Sequence, residues 1–371
     1  MTSIRGTEDQ GATFVELFFD LVFVFAVTQV TASLAHDLTV SGLGRALIVF
    51  WLVWWAWTQY TWSLNQADTE HVRIRFITLL ATALAFLMAV TVPLITTEWG
   101  WLFALAYLVL RMVGISLQLR LSGNDIVWAR SVQTWALMSS LGLLAILTAM
   151  FLPPDRRFLA LGAAAILDVI AALRAGRTEW RLFPGHFSER HGLFVIIALG
   201  EALIAAGVTL SDQPLSGRLL MVAVTAVAGT CALWWTYFGW AKDRLEVAMR
   251  SQSPARLGRY ARDVYSFGHF PLILGVIGYA ISVEETIAHP QDPLAVPGML
   301  ALGFGVGLIV GGTALALTMA GVRVPAVRWW MMIVLLASIP TLGLIPAWVA
   351  LALVSLLVAV LALVEERRGA A

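Results

Sequence analysis

The sequence predicts an all-α polytopic integral membrane protein, and three observations carry that prediction. Of the 371 residues 60% are hydrophobic and only 13% charged, whereas soluble domains are about 45–50% apolar and about 25% charged. The apolar residues fall in blocks of about 20, the length that crosses a bilayer as a helix. Lys and Arg collect in alternate loops between the blocks. One side takes Arg5, Arg73, Arg75, Arg120, Arg130, Arg190, the basic stretch from Lys242 to Arg262, Arg323 and Arg367, while the other keeps Arg45, Arg156, Arg157 and Arg218. By the positive-inside rule both termini are cytoplasmic.

About twelve transmembrane helices are expected. The first, Phe14 to Ala35, follows a short polar tail and lacks a small-residue cleavage site, so it reads as a retained span and not as a signal peptide. Leu43 to Leu64 is rich in Trp, Phe76 to Ile95 carries no charge, and Trp99 to Leu119 carries Arg111 inside it. Ser131 to Leu152 and the short Phe158 to Leu173, interrupted by Asp168, complete the first half. The second half runs Gly192 to Leu210, Leu219 to Trp240, Val264 to Val283, Pro297 to Ala320, Val327 to Ile345 and Pro346 to Val364. The last two join through a tight turn from Gly343 to Pro346.

The halves resemble each other. The stretch from Asp20 to Gln29 aligns with that from Gly192 to Glu201, and Trp54-Trp55-Ala56-Trp57 aligns with Trp234-Trp235-Thr236-Tyr237. Residues 1–180 and 181–371 are therefore expected to be two parallel six-helix repeats of one membrane domain, related by an axis along the membrane normal.

Polar side chains inside the spans are the candidate site residues, because an acid at a helix centre costs roughly 2.5–3.5 kcal/mol on an insertion scale. Glu16 and Asp20 sit one turn apart on one face of the first helix, so the pair must face protein or water. One reading is a cation or proton site; the other is a hydrogen-bonded anchor to Arg or backbone. The stretch from Pro184 to Glu201 holds Glu189, Arg190, His191 and Glu201. Ser188 reads as a helix cap and Glu189 as an offset to the positive helix end. Glu201 lies mid-span, eleven residues from Arg190, about 16 Å along a helix, so it requires another partner, a bound cation or a proton of its own. Gly192, Gly200 and Gly207 read as close helix packing.

Tyr107, Arg111 and Gln118 share a face, and Arg111 reads as the counter-ion of Asp20, Asp168 or Glu201. His269 reads as a satisfied core histidine or a proton relay. Asn65 and Asp68 read as a structural end to the second helix, with a gate at its cytoplasmic entrance as the alternative. The Trp-rich segments read as packing, with an aromatic cage for an organic cation as the alternative. The loop from Lys242 to Arg262 reads as a basic surface against lipid headgroups, or a surface helix there.

A single cysteine, Cys231, excludes an internal disulfide and any Cys-based metal motif. Nucleotide loops, zinc-spaced His/Cys clusters and Gly-x-Ser-x-Gly elements are missing from the sequence, so neither catalysis nor a cofactor nor a metal is expected. The expected partners are membrane lipids and a small solute or cation, protons among them. A homodimer is compatible with the sequence, and nucleic acid is not expected.

The segments Glu16-Leu17-Phe18-Phe19-Asp20-Leu21-Val22-Phe23-Val24-Phe25-Ala26 and Glu189-Arg190-His191-Gly192-Leu193-Phe194-Val195-Ile196-Ile197-Ala198-Leu199-Gly200-Glu201 resemble the bacterial low-temperature-requirement A (LtrA) family over essentially the whole chain. That resemblance implies a multi-span inner-membrane protein; the family's name records a cold-growth phenotype and supplies no substrate. Phe18-Phe19-Asp20-Leu21-Val22-Phe23 is also similar to the Phe-Ser-Asp first-helix motif of two-repeat potassium channels, with Phe19 in place of Ser and Gly192 at the matching position of the second repeat. The expected function is a proton-coupled secondary transporter of a small solute, with Asp20 and Glu201 titrating and Arg111 and His269 as modulators. A channel lined by the first and seventh helices and a non-transporting sensor or scaffold are the alternatives.

Overall fold

The computed structural model describes residues 4–6, 9–123, 125–175, 180–214 and 216–369. Among them the chain is helical, with short turns and two isolated β-bridges, Arg5 with Ala67 and Pro293 with Pro346. In order the helices are α1 (Phe14–His36), α2 (Val40–Leu64), α3 (Val72–Val90), α4 (Trp101–Ser122), α5 (Ile126–Phe151), α6 (Pro154–Ala175) and α7 (Pro184–Ser211). Then follow α8 (Gly217–Phe238), α9 (Ala241–Arg250), α10 (Pro254–Tyr260), α11 (His269–Ala288), α12 (Val296–Met319), α13 (Ala326–Leu342) and α14 (Ala347–Gly369). A π-helical turn, Ala261–Phe267, carries α10 into α11.

Ten helical stretches among the described residues are long and apolar enough to cross a membrane. The sixth and eleventh expected spans fall outside that set for physical reasons. Helix α6 carries Asp155, Arg156, Arg157, Asp168 and Arg174, and α13 has only 17 residues, short of the about 20 that a bilayer asks for. The stretch from Lys242 to Arg262 is helical for most of its length, as α9 and α10.

The chain divides into two compact units, Met1–Phe194 with Met249–Arg262, and Val195–Ala248 with Asp263–Ala371. In the first, α1 packs on α2 and α3, α4 on α2, α3 and α5, and α6 on α5 and α2. Local chemistry sets the starts: Thr39 caps α2 by accepting from Gly42 N (3.0 Å) and Asp125 caps α5 through Trp128 N (3.1 Å). Helix α4 ends at Gly123, whose φ of 48° suits glycine. A Cβ there would meet the Arg5 guanidinium, which donates to Ser122 O at 2.6 Å.

In the second unit α12 packs on α11 and α13, and α8 on α14. The α11–α12 contact is backbone against backbone: a Cβ on Gly275 would lie 2.5 Å from Gly305 O, the close approach that small residues permit in membranes. Gly200 and Gly207 do not serve this purpose, since nothing lies within 4 Å of where their Cβ would be. Arg328 and Glu365 are buried there, with bonds of 2.7 and 2.6 Å from the guanidinium to the carboxylate and 2.7 Å to Thr236 O.

Helix α7 begins at Pro184, well before the expected Gly192, and this corrects two readings at once. Pro184 suits the first turn because its missing N–H would have no helical partner there. The cap is not Ser188, which lies inside the helix and is buried. It is Asp9, whose carboxylate accepts from Gly185 N (3.0 Å) and His186 N (2.9 Å). Arg190, counted above with the loop charges, is consequently a buried helix residue.

Candidate functional site

The start of α1 builds one half of the site. Glu16 lies in the first helical turn, where its carboxylate accepts from Thr13 N–H (3.0 Å) and Thr13 O–H (2.9 Å). That is the reciprocal arrangement of a capping box, and it sets the carboxylate at the positive end of the helix. Asp20 is one turn on. Both acids are 0% exposed.

The start of α7 supplies the other half. Arg190, also 0% exposed, bridges the two acids: Nε donates to Asp20 Oδ2 (3.2 Å), Nη2 to Asp20 Oδ1, and Nη1 to Glu16 Oε1 (3.2 Å). The guanidinium lies 5.9 Å from the ring centres of both Phe19 and Trp57, close enough for cation–π attraction. Trp57 Nε1 donates to Asp20 Oδ1 at 2.7 Å.

His186 completes the ring of partners, with Nε2 3.2 Å from Glu16 Oε2. Its tautomer follows from Asn65. Asn65 Oδ1 accepts from Phe183 N (2.9 Å), so Nδ2 must face Phe183 O (2.9 Å) and His186 Nδ1 (3.2 Å). Nδ1 is thereby an acceptor and Nε2 carries the hydrogen that points at Glu16. Two carboxylates therefore share one guanidinium; with both ionised and the ring uncharged, the cluster would carry one negative charge more than positive.

A second buried pair in the same unit is balanced. Arg111 Nη1 and Nη2 donate to the two Asp168 oxygens at 3.0 Å each, and Arg111 Nη1 donates to Tyr107 O–H at 2.7 Å. The expected polar face of α4 is present, since Tyr107, Arg111 and Gln118 are all buried. Of the acids expected beside Arg111, Asp168 is the partner.

The other expected residues take separate places. Glu189 accepts from Ala12 N at 3.0 Å and so fastens the N-terminal segment. His191 faces Phe187 O through Nδ1 (2.9 Å) and sets its ring edge-on to Trp57. In the second unit His269 bridges Val264 O (3.1 Å) and Tyr237 O–H (2.7 Å). Nδ1 is then the donor and Nε2 the acceptor, which is the satisfied core histidine. Glu201 is half-buried on α7. Trp54 and Trp55 are buried, whereas Trp234 and Trp235 are 41% and 48% exposed, so the two Trp-Trp pairs do not share one environment, although Trp57 and Tyr237 are both buried. Among the described residues no group of His, Cys, Asp and Glu could hold a metal ion.

Sequence reasoning missed His186, Trp57 and Asn65 as parts of the site. One signal was available, Thr13-Phe14-Val15-Glu16, a capping box that fixes where α1 starts and which way Glu16 turns.

Comparison with known proteins places this geometry in a family. The chain is 27% identical over 302 residues to an uncharacterized protein, RA0937, of Rhizobium meliloti (strain 1021), covering 78% of this chain and 72% of that one. No solved structure matches. The family described as bacterial low temperature requirement A protein (LtrA) matches residues 11–363, which span both acids of α1, all of α7 and the Arg111–Asp168 pair. The chain therefore belongs to the LtrA family.

Proposed function

We propose that the protein is a proton-coupled secondary transporter of a small solute in the bacterial inner membrane, with the Glu16–Asp20–Arg190–His186 cluster as its proton site. One observation carries this reading: two fully buried carboxylates face a single guanidinium and one imidazole, which turns Nε2 toward Glu16. An unmatched charge buried in low dielectric is costly unless paired, and one proton would complete the balance. The positive end of α1 and the Trp57 N–H offset part of the excess, which makes the deprotonated state accessible too. A site that tolerates both states is what coupling to protons requires. Glu201, farther along α7, is the second titrating candidate, with Arg111 and His269 as modulators; no chemical step and no cofactor are involved.

The fuller architecture proposed is about twelve spans in two parallel repeats with cytoplasmic termini. Contacts within the first unit support it by parity. Arg5 pairs with Ala67 and reaches Ser122, while Asp9 holds both the start of α7 and Arg250 (2.9 Å). Residues 67, 122, 185 and 250 therefore lie on one side, so α5 crosses only if α6 does. In the second unit Pro293 pairs with Pro346, which ties α12 and α13 in the same way.

The test is proton flux in proteoliposomes with a pH-sensitive dye inside. Solute-driven acidification that depends on the protein, and that Asp20→Asn abolishes, is expected. Flux undiminished in Asp20→Asn combined with Glu201→Gln defeats the assignment, and flux too fast for a turnover cycle makes the protein a channel. A static scaffold is the second reading, favoured by the number of hydrogen bonds that already hold Asp20 and Glu16.

A further inference from the structure

At the far end of α1 from the Arg190 cluster, α1, α2, the 92–96 segment and Phe158 of α6 line a half-open cavity of about 330 Å³. That lies at the small end of the roughly 300–1,000 Å³ typical of ligand sites. Its floor is apolar, formed by the buried side chains of Val30, Val49, Val92 and Ile95. Its rim carries opposite charges. Arg45 Nη1 stands 3.8 Å from Asp37 Oδ2, and the two side chains are 43% and 37% exposed.

Both rim groups are held in place by neighbours and not by each other. Asp37 Oδ1 accepts from Thr39 O–H at 2.6 Å, and Oδ2 is the oxygen on the Arg45 side. Arg45 Nη2 donates to Ser41 Oγ at 3.3 Å, and the guanidinium lies 5.8 Å from the Phe158 ring centre. An exposed ion pair is worth about 0–1 kcal/mol, and 3.8 Å is too long for a hydrogen bond. A ligand that inserts between the two loses little by separating them. It gains a charge-assisted bond to each if it presents a carboxylate and an ammonium together.

We infer that this cavity binds a small zwitterion with an apolar side chain, the chemical class of the aliphatic α-amino acids. The carboxylate meets Arg45, the ammonium meets Asp37, and the side chain covers Val30, Val49, Val92 and Ile95. Phospholipids share the zwitterionic character, but two acyl chains exceed about 330 Å³ and would have to lie outside the cavity. Asp20 lies ten residues from Val30 along α1, about 15 Å away, with Phe23, Val24 and Val27 buried in between. Occupancy therefore does not depend on whether the Arg190 cluster moves protons.

The test is calorimetric titration of the full chain in nanodiscs with L-leucine, 4-methylpentanoate and isoamylamine, no gradient being applied. Saturable L-leucine binding is expected, with each single-charge analogue at least about tenfold weaker, as loss of one charge-assisted bond implies. Arg45→Gln and Asp37→Asn, both at the exposed rim, should each weaken L-leucine by a similar factor while leaving the unfolding temperature unchanged. Equal affinity for either analogue, unchanged affinity in both variants, or no saturation by about 10 mM overturns the inference. Because no proton movement is measured, either proposal can fail while the other stands.

Discussion

Removal of the Arg190 guanidinium would leave Glu16 and Asp20, both fully buried, without the cation they share. Breaking a buried pair by deleting one partner typically costs about 3–5 kcal/mol. Arg190→Gln is accordingly expected to lower the unfolding temperature of the detergent-purified protein sharply. Adding Glu16→Gln and Asp20→Asn should recover much of the loss, because the orphaned charges are then gone. A single Arg190→Gln as stable as the wild type would show that the acids have another partner. The acids themselves were legible in the sequence, since two carboxylates one turn apart in an apolar block must face inward. Their partner was not legible. Arg190 looks like a loop charge as long as the seventh span is started at Gly192, and what starts the helix earlier is Asp9, a cap supplied from more than 170 residues away. Caps that arrive through tertiary structure leave no local spacing to read.

Helix α6 shows how an element with too many charges keeps its place. Its two internal ionic side chains are satisfied by neighbours: Asp168 by the charge of Arg111 on α4, and the donors of Arg157 by backbone carbonyls. Arg157 donates to Ile95 O (2.6 Å) and Thr97 O (2.7 Å) ahead of α4, and to Ala149 O (3.3 Å) and Leu152 O (3.2 Å) at the end of α5. One side chain thus ties three chain segments and satisfies carbonyls that a helix end otherwise leaves open. Arg157→Met keeps the volume and removes every donor. It is expected to destabilise by about 2–4 kcal/mol, several unmet carbonyls at roughly 1 kcal/mol each, and to raise amide exchange at residues 95–98. Exchange unaltered there would mean that the segment is held by other contacts. The sequence marks Arg157 only as one of few basic residues on its side. Nothing in its spacing distinguishes a staple from a solvated charge, because the acceptors are main-chain atoms, and two of them belong to a segment about 60 residues away.

At the scale of the whole chain the open question is how many times it crosses, and the single cysteine makes that directly measurable. Cys231 is exposed, and Cys231→Ser supplies a background in which one cysteine at a time is placed in a loop and treated with a membrane-impermeant maleimide. Twelve crossings with cytoplasmic termini put Pro153, Ser211 and Leu344 on the outer face, and Arg181, Ser251 and Arg323 on the inner one. Cysteines at the first three positions should react in intact cells, and cysteines at the other three only after permeabilisation. The discriminating pair is Pro153 with Arg181, which flank α6, and its counterpart is Arg323 with Leu344, which flank α13. If α6 lies along the surface instead, positions 153 and 181 react under the same condition. That would contradict the parity set by Ser122 and Gly185, both tied to the N-terminal segment. The same outcome at 323 and 344 would remove α13 from the count and send the C-terminus to the opposite face. Arg367, Arg328 and the basic stretch from Lys242 to Arg262 argue against that outcome, since the positive-inside bias is counted within about 15–20 residues of helix ends.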